Sequence, residues 1–381
     1  MLRHALPSRP IYLDYHATTP VDPRVADVMR HVLLEAFGNA NSREHAYGDE
    51  AAALVGTART HVAVLVGAEA EQVHFTSGSS DAIRRAITHA AMCAGSRPLQ
   101  VVASAVEHRA VLDMLASLHS AGGAHVRKAP VDERARLDLD ALGDLARGAD
   151  LVCVMAANNE VGTVYPVEEV ARITRDSGAA VLVDATQAAG RLDLQVNAWG
   201  VTYLALSAHK IYGPKGVGAL VIGGSEVPED EHGTPNVPGI AGLGEACRLR
   251  CAERAEDEPR IAAMRDRLES LLAEHVPGLV VNGDRENRLS GNLHVSARGV
   301  PNDAVLAQLR RSVALSTGAA CTSGSPEPSH VLRAMGLDAE LQDGALRMGL
   351  GKFTTLQEVE FAAERIAEAI GSVRAALAHR W

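Results

Sequence analysis

An α/β protein built on a mostly parallel sheet is the fold class this sequence predicts, on three observations. Between residues 71 and 222, short β-rich runs alternate with helical patterns, the order that puts parallel strands under a cover of helices. Several runs, such as Val152-Cys153-Val154-Met155, are apolar at every position, as a strand buried on both faces must be. Polar residues able to do chemistry stand directly after the runs, at the carboxyl ends where open α/β sheets bind their ligands.

The expected strands are 72–76, 99–105, 151–157, 180–185, 203–207 and 218–222. Ser77-Gly78-Ser79-Ser80 follows the first, Glu107-His108 the second, Asn158-Asn159 the third and Asp184-Ala185-Thr186-Gln187 the fourth. A long helical stretch over about 240–274 leads out of this unit into a smaller α+β one, with strands near 291–296 and 345–350. Two domains meeting at a cleft are expected. The last helix begins at Thr355 with Glu358 three residues on, a capping box, and Val359, Ala362, Ile366, Ile370 and Val373 keep helical spacing.

With 381 residues and 47% hydrophobic composition, the chain can bury a large core and has length for two domains. The net charge of −10, with no basic block and no aromatic–basic interleaving, argues against a direct grip on nucleic acid. The N-terminus lacks an apolar h-region and no apolar stretch is long enough to span a bilayer, so no membrane role is expected and the cytoplasm is the expected compartment. The five cysteines are odd in number and scattered without a CxxC, which speaks against a disulfide framework or a zinc knuckle and leaves room for a working thiol. Cys93 and Cys153 read as packing residues. Cys247 and Cys251, four apart on a helix, read as small buried residues more readily than as a metal pair.

One pairing points to a cofactor. Lys210 lies in Ser207-Ala208-His209-Lys210-Ile211-Tyr212-Gly213-Pro214-Lys215-Gly216, and Asp184 ends a strand one βα unit upstream. A lysine amine to form a Schiff base and a carboxylate to keep a pyridine nitrogen protonated are the two groups pyridoxal 5′-phosphate requires. Thr76-Ser77-Gly78-Ser79-Ser80, between a strand and a helix, suits the phosphate dianion, although Ser and Gly are also ordinary capping residues. Ser207 and His209 flank Lys210 and can donate to the same phosphate, which favours Lys210 over Lys215 as the Schiff-base residue. His108 has the ordinary pKa for moving protons and can stack on a ring, but it is one of 16 histidines, most of which must be solvated or merely hydrogen-bonded. Cys321 sits among small, flexible residues (Thr317-Gly318-Ala319-Ala320-Cys321-Thr322-Ser323-Gly324-Ser325), which suits an exposed thiol on a loop. Arg347, a charge inside the apolar run Ala345-Leu346-Arg347-Met348, needs an anion: a substrate carboxylate or a structural ion-pair partner.

Together these residues carry a resemblance to cysteine desulfurases, fold-type I pyridoxal phosphate enzymes of the class V aminotransferase group. The similarity runs from Tyr12-Leu13-Asp14-Tyr15-His16-Ala17-Thr18-Thr19-Pro20 through Phe37-Gly38-Asn39-Ala40-Asn41-Ser42, Asn158-Asn159-Glu160-Val161-Gly162 and the lysine motif to Gly351-Lys352-Phe353-Thr354-Thr355. It implies a large domain with a seven-stranded sheet over 12–250, and a small domain of 1–11 and 251–381 that carries the cysteine loop. It implies that Lys210 holds the cofactor, Asp184 pairs with the ring nitrogen, Gln187 bonds the ring hydroxyl and His108 stacks on the ring. Ser79, Ser80, Ser207 and His209 match phosphate ligands, Thr234 a phosphate contact made across a homodimer, and Asn159 a residue at both cofactor and substrate. Arg347, Asn159 and Asn39 match the holders of the L-cysteine carboxylate, and Cys321 matches the thiolate that takes the substrate sulfur as a persulfide while alanine leaves. A sulfur-acceptor protein is the implied partner. The segment around Cys321 is similar to the branch serving iron–sulfur cluster assembly and transfer-RNA thiolation, and to desulfurases serving DNA phosphorothioation.

Two stretches depart from that pattern. After Gly78 this chain reads Ser79-Ser80-Asp81-Ala82-Ile83-Arg84, keeping a hydroxyl but losing an amide pair. Residues 223–232 are short and acidic (Glu226, Glu229, Asp230, Glu231) where relatives carry a Gly- and Arg-rich loop, which implies slower turnover, another loop partner or an activating protein. Two other functions compete: an aminotransferase or lyase for which Cys321 is dispensable, and a sulfur-pathway scaffold with an impaired site.

Overall fold

The computed structural model describes residues 9–223, 233–318 and 328–378. The first half holds β1 (Ile11–Tyr12), α1 (Pro23–Leu34), α2 (Ala46–Val66), β2 (Val73–Thr76), α3 (Ser79–Cys93), β3 (Leu99–Ser104), α4 (Arg109–Ser120), β4 (Ala124–Ala129), α5 (Leu139–Ala146), β5 (Leu151–Met155), α6 (Val167–Ser177) and β6 (Ala180–Asp184). The second half holds α7 (Val196–Trp199), β7 (Tyr203–Ser207), β8 (Gly218–Ile222), α8 (Val237–His275), β9 (Leu279–Val281), β10 (Asn292–Ala297), α9 (Asn302–Leu309), β11 (Val313–Ala314), α10 (His330–Ala334), α11 (Ala339–Asp343), β12 (Ala345–Gly349) and α12 (Leu356–Ala378).

Seven strands form one sheet in the order β2-β8-β7-β6-β5-β3-β4. Strand β8 is antiparallel to both of its neighbours, and the other pairs are parallel. Two antiparallel steps cancel, so β2 runs with the rest and the carboxyl ends of β2, β3, β5, β6 and β7 open on one edge. Because successive side chains alternate between faces, β5 sends Val152 and Val154 into a core shared with α2, α5, α6 and α8, and Leu151 and Cys153 into a core shared with α3 and α4. Helices therefore cover both faces, as an all-apolar strand demands.

Strand β4 has no counterpart among the expected runs. Its sequence, Ala-His-Val-Arg-Lys-Ala, lies on the sheet edge, where half of it stays in water and charge guards the open ladder. Two cysteine readings are corrected: Cys93, the last residue of α3, lies exposed rather than packed, and Cys251 on α8 is exposed while Cys247 is buried.

A second core gathers Ile11 and Leu13, the far half of α8 (Ile261, Met264, Leu268, Leu272), strands β10 and β12, and α12. There β12, β10 and β9 form an antiparallel sheet, and β1 pairs with β11. Helix α8 spans both cores, with Ile240, Leu243 and Cys247 in the first, and Pro259 stands at the junction, where a missing N–H is tolerated between two packed halves. The cap of α12 is as expected: Thr355 N–H donates to Glu358 Oε2 at 2.8 Å and Glu358 N–H to Thr355 Oγ1 at 3.3 Å, while Val359, Ala362, Ile366, Ile370 and Val373 are buried. Among the described residues, no helix is long and apolar enough to cross a membrane.

Candidate active site

The open strand edge collects most of the candidate residues. Asp184 ends β6, in register with Met155 of β5 and Ala205 of β7. Ser207 ends β7, and Lys210 closes the single 3-10 turn that follows. The Lys210 ammonium donates to the carbonyl oxygens of His16 (2.5 Å) and Ala17 (2.9 Å), so the loop after β1 forms the wall opposite the sheet. Asp184 is buried, and its Oδ1 accepts from the Thr186 N–H (2.9 Å) and the Thr186 hydroxyl. Gln187 is buried one turn further on, its Nε2 donating to the His16 carbonyl at 2.9 Å.

The amino end of α3 is shaped for an anion. Gly78 takes φ +146°, a region open to glycine, and as the residue before the helix it has no side chain to cap it, so among the described residues the first N–H groups at Ser79 and Ser80 are open to a ligand. A Cβ built on Gly78 would lie 3.8 Å from Ser207 Oγ, which places the Ser207 hydroxyl beside this helix end. Gly218 of β8 closes the floor, since a Cβ there would come within 2.8 Å of Gly78 Cα. Thr234 is exposed and lines, with Thr76, Ser77 and Asn236, a cavity of about 430 Å³ beside the same turn. His209 donates to or accepts from Thr18 Oγ1 at 3.2 Å, and its pKa is pushed down to about 4 by burial and then by the Lys210 and Lys215 charges.

On the other side of the cleft, Arg347 of β12 is buried, and its Nη1 donates to the Asn159 carbonyl and its Nη2 to Asp14 Oδ1, both at 2.8 Å. An ion pair is therefore present, and Arg347 Nε, also buried, has no hydrogen-bond partner among the described residues. Asn39 is exposed, its Oδ1 accepting from the Asn41 N–H. His108 caps α4, its Nδ1 accepting from the Ala110 N–H at 3.1 Å. That bond requires a lone pair on Nδ1, so the neutral ring carries its proton on Nε2. Cys321 and the acidic stretch 224–232 lie outside the described residues. The chain on either side of Cys321 meets one side chain: Ser329 Oγ donates to Glu160 Oε2 at 2.5 Å, and a Cβ on Gly318 would touch Glu160 at 3.4 Å.

Three further residues of this region were given no role by the sequence. Glu107 is fully buried; its Oε1 accepts from Ser104 Oγ (2.5 Å) and the Met155 N–H (2.8 Å), and burial pushes its pKa up to about 8, with the Asp184 charge adding to the rise. His16 is 1% exposed and stands between Gln187 and Lys210. Arg191 donates to the carbonyl oxygens of Gln187 (2.7 Å) and Lys210 (3.0 Å), tying the two segments. Only the position of Glu107 next to His108 gave any local signal, because the other contacts join segments far apart in sequence.

The donor set fits pyridoxal 5′-phosphate. An uncapped helix end with an adjacent hydroxyl suits a dianion, and glycines at 78 and 218 leave the room that side chains would fill. An amine, a buried carboxylate and an imidazole line the same strand edge.

Comparison with known proteins gives a consistent result. The family model for class-V aminotransferases matches residues 11–229 and 224–361. The chain is 42% identical over 379 residues to a cysteine desulfurase IscS from Anaeromyxobacter sp. (strain Fw109-5), covering 96% of this chain and 93% of the relative. Among solved structures, a NifS-like protein superposes with a TM-score of 0.88 at 33% identity, over 95% of this chain and 99% of that one. DndA from Streptomyces lividans superposes with a TM-score of 0.73 at 34% identity, over 88% and 98%.

Proposed function

The chain belongs to the class-V aminotransferase family and within it to the cysteine desulfurases, and on that premise we propose that Lys210, Asp184, His108, Arg347 and Cys321 carry the conversion of L-cysteine to L-alanine. The observation that carries this reading is the meeting of Lys210, Asp184 and the uncapped amino end of α3 at one strand edge.

When bound, pyridoxal 5′-phosphate supplies an aldehyde for amines and a ring that takes up the electron pair left by a departing proton. The N–H groups at Ser79 and Ser80, with Ser207 and His209, would hold its phosphate, and Thr234 of the partner subunit would complete the contact in a homodimer. Asp184, with Oδ1 held by Thr186, offers Oδ2 to the ring nitrogen. Gln187 would donate to the ring hydroxyl, and His108 would stack on the ring. Asn159 contacts both cofactor and substrate.

Arg347 binds the cysteine carboxylate through donors on a side chain already fixed by Asp14 and the Asn159 carbonyl, with Asn39 closing on the same group. Lys210, whose amine would be free to act as a base with substrate bound, would take the Cα proton. The Cys321 thiolate attacks the substrate sulfur, the carbon–sulfur bond breaks with its electrons returning to carbon, a proton completes the alanine methyl, and the sulfur stays on Cys321 as a persulfide.

We assign residues 12–250 to the cofactor domain and residues 1–11 and 251–381 to the small domain, a division most of the two cores follow, while Leu13 packs in the second core and Leu289, Val331, Leu332, Met335 and Ala345 pack in the first. A cytoplasmic homodimer that hands sulfur to an acceptor protein completes the proposal. Exposed Leu33, Leu34, Phe37 and Tyr47, clustered around the end of α1 and the start of α2, support an interface there. The test is incubation with L-cysteine, pyridoxal 5′-phosphate and a thiol reductant. Equal amounts of alanine and sulfide support the reading, whereas pyruvate or an amino-group transfer to a keto acid would replace it with a lyase or an aminotransferase.

A further inference from the structure

We propose that His16 is a positioning residue of this site: its Nδ1–H fixes the carboxamide of Gln187, and its carbonyl joins Gln187 to Lys210. The inference rests on the cofactor reading above and adds a residue which that reading does not use.

The geometry determines the tautomer. Gln187 Nε2 donates to the His16 carbonyl oxygen at 2.9 Å, which makes the other amide atom the acceptor. Arg191 Nη1, a donor only, reaches that same Oε1 at 3.2 Å and agrees with the assignment. His16 Nδ1 lies 3.0 Å from Oε1, so Nδ1 must carry the proton. The two residues are thus locked by a reciprocal pair of hydrogen bonds across 171 positions of sequence.

The remaining lone pair is on Nε2, which is buried and has no hydrogen-bond partner among the described residues. The ring stays neutral there. Burial holds its pKa well below the usual imidazole range, and the charges of Arg191, Arg347 and Lys210 reinforce the effect, while the Gln187 bond works weakly against it. A doubly protonated ring would place a second N–H among three cations.

The consequence falls on two groups. With Oε1 held by His16 and Arg191 and one Nε2 hydrogen on the His16 carbonyl, Gln187 has one N–H left, and its direction is fixed. That is the hydrogen available to an oxygen on the cofactor ring. The same carbonyl accepts from Lys210 Nζ, so any turn of the Gln187 amide is felt at the amine. Space is tight around the ring, since a Cβ on Gly349 would meet His16 Cδ2 at 2.8 Å and the imidazole cannot swing away unopposed.

The test uses two amide replacements that differ in reach. In His16→Asn the side-chain N–H stands near the place of Nδ1–H, and in His16→Gln near the place of Nε2. The readouts are the dissociation constant of pyridoxal 5′-phosphate and the pH titration of its visible absorbance band, with melting of the cofactor-free protein as a control for folding. The expected result is that His16→Gln weakens the cofactor by about tenfold, the value of one lost hydrogen bond, and shifts the titration, while His16→Asn recovers most of both. In a Gln187→Ala background, His16→Gln should then add nothing, because the effect passes through Gln187. Equal behaviour of the two variants, recovery by Gln rather than Asn, or additive losses in the double variant would overturn the positioning role. Absence of cofactor binding by the unaltered protein would instead overturn the cofactor reading together with this inference.

Discussion

Arg347 and Asn159 lie 188 residues apart and are joined by a 2.8 Å hydrogen bond from the guanidinium Nη1 to the Asn159 carbonyl oxygen. Strand β12 of the second core is thereby pinned to the loop after β5 of the first, and the cleft between the two cores has a charge built into its wall. A lysine here keeps the charge but loses the planar fork. Arg347→Lys should raise the KM for L-cysteine by about 10- to 100-fold while leaving the cofactor absorbance in place. Steady-state kinetics on the cofactor-loaded variant checks this, and an unchanged KM would remove Arg347 from the substrate site.

Lys210→Ala should abolish the visible band of bound pyridoxal 5′-phosphate that depends on a lysine Schiff base, together with all turnover. The His16 carbonyl oxygen then keeps the Gln187 donor, and only the Ala17 carbonyl loses the one Lys210 gave it, so the fold should persist. Absorbance and circular dichroism on one sample separate these outcomes, and a retained lysine-type band would point to another amine.

Glu107 predicts a pH dependence of stability. Its folded-state pKa of about 8 lies above the ordinary 4.5, so between those values the folded state holds a proton that the unfolded state has released. Stability from this group is fully present below about pH 4.5 and is lost as the pH rises towards 8, by on the order of 5 kcal/mol. Glu107→Gln keeps a group able to bond Ser104 and Met155 but cannot ionise, so denaturant unfolding should show a flatter profile over that window. Parallel profiles for the two proteins would contradict the assignment of a neutral carboxyl.

Gly218→Ala tests the anion pocket from beneath. The added methyl would lie 2.4 Å from the Leu206 carbonyl oxygen and 2.8 Å from Gly78 Cα, so β8 or the α3 turn must shift. Overpacking of this kind costs about 1–3 kcal/mol. Cofactor affinity should fall as well, and free inorganic phosphate should protect the variant less well against heating than it protects the unaltered protein.

Local pattern explains what could be read in advance. Strands β7 and β8 fall at their expected bounds because every residue in them is buried and all but Ser207 are apolar. The expected helix over 240–274 is α8, and the capping box at Thr355 and Glu358 is formed. Strand β4 escaped because an edge strand wears charge on its open side, and Cys93 because a small residue at a helix end gives no sign of which way it faces. Contacts between distant segments had no local signature either. The Nδ1 of His89 meets the Tyr203 hydroxyl at 2.7 Å over 114 positions, and the His16–Gln187 clamp spans still more. Asp184 and Lys210 stood out because one ends a strand and the other closes the turn just after the next, whereas His16 is one polar residue inside a loop motif.

The central claim is that sulfur leaves the substrate onto Cys321, and the most direct measurement is alanine release from L-cysteine by the unaltered protein and by Cys321→Ala, with mass spectrometry of the protein after reaction. The account predicts alanine and a 32 Da adduct on Cys321, about the mass of one sulfur atom, for the unaltered protein. It predicts neither for Cys321→Ala, which should still bind cofactor and substrate. Undiminished alanine formation by Cys321→Ala, or an adduct on another cysteine, would contradict it.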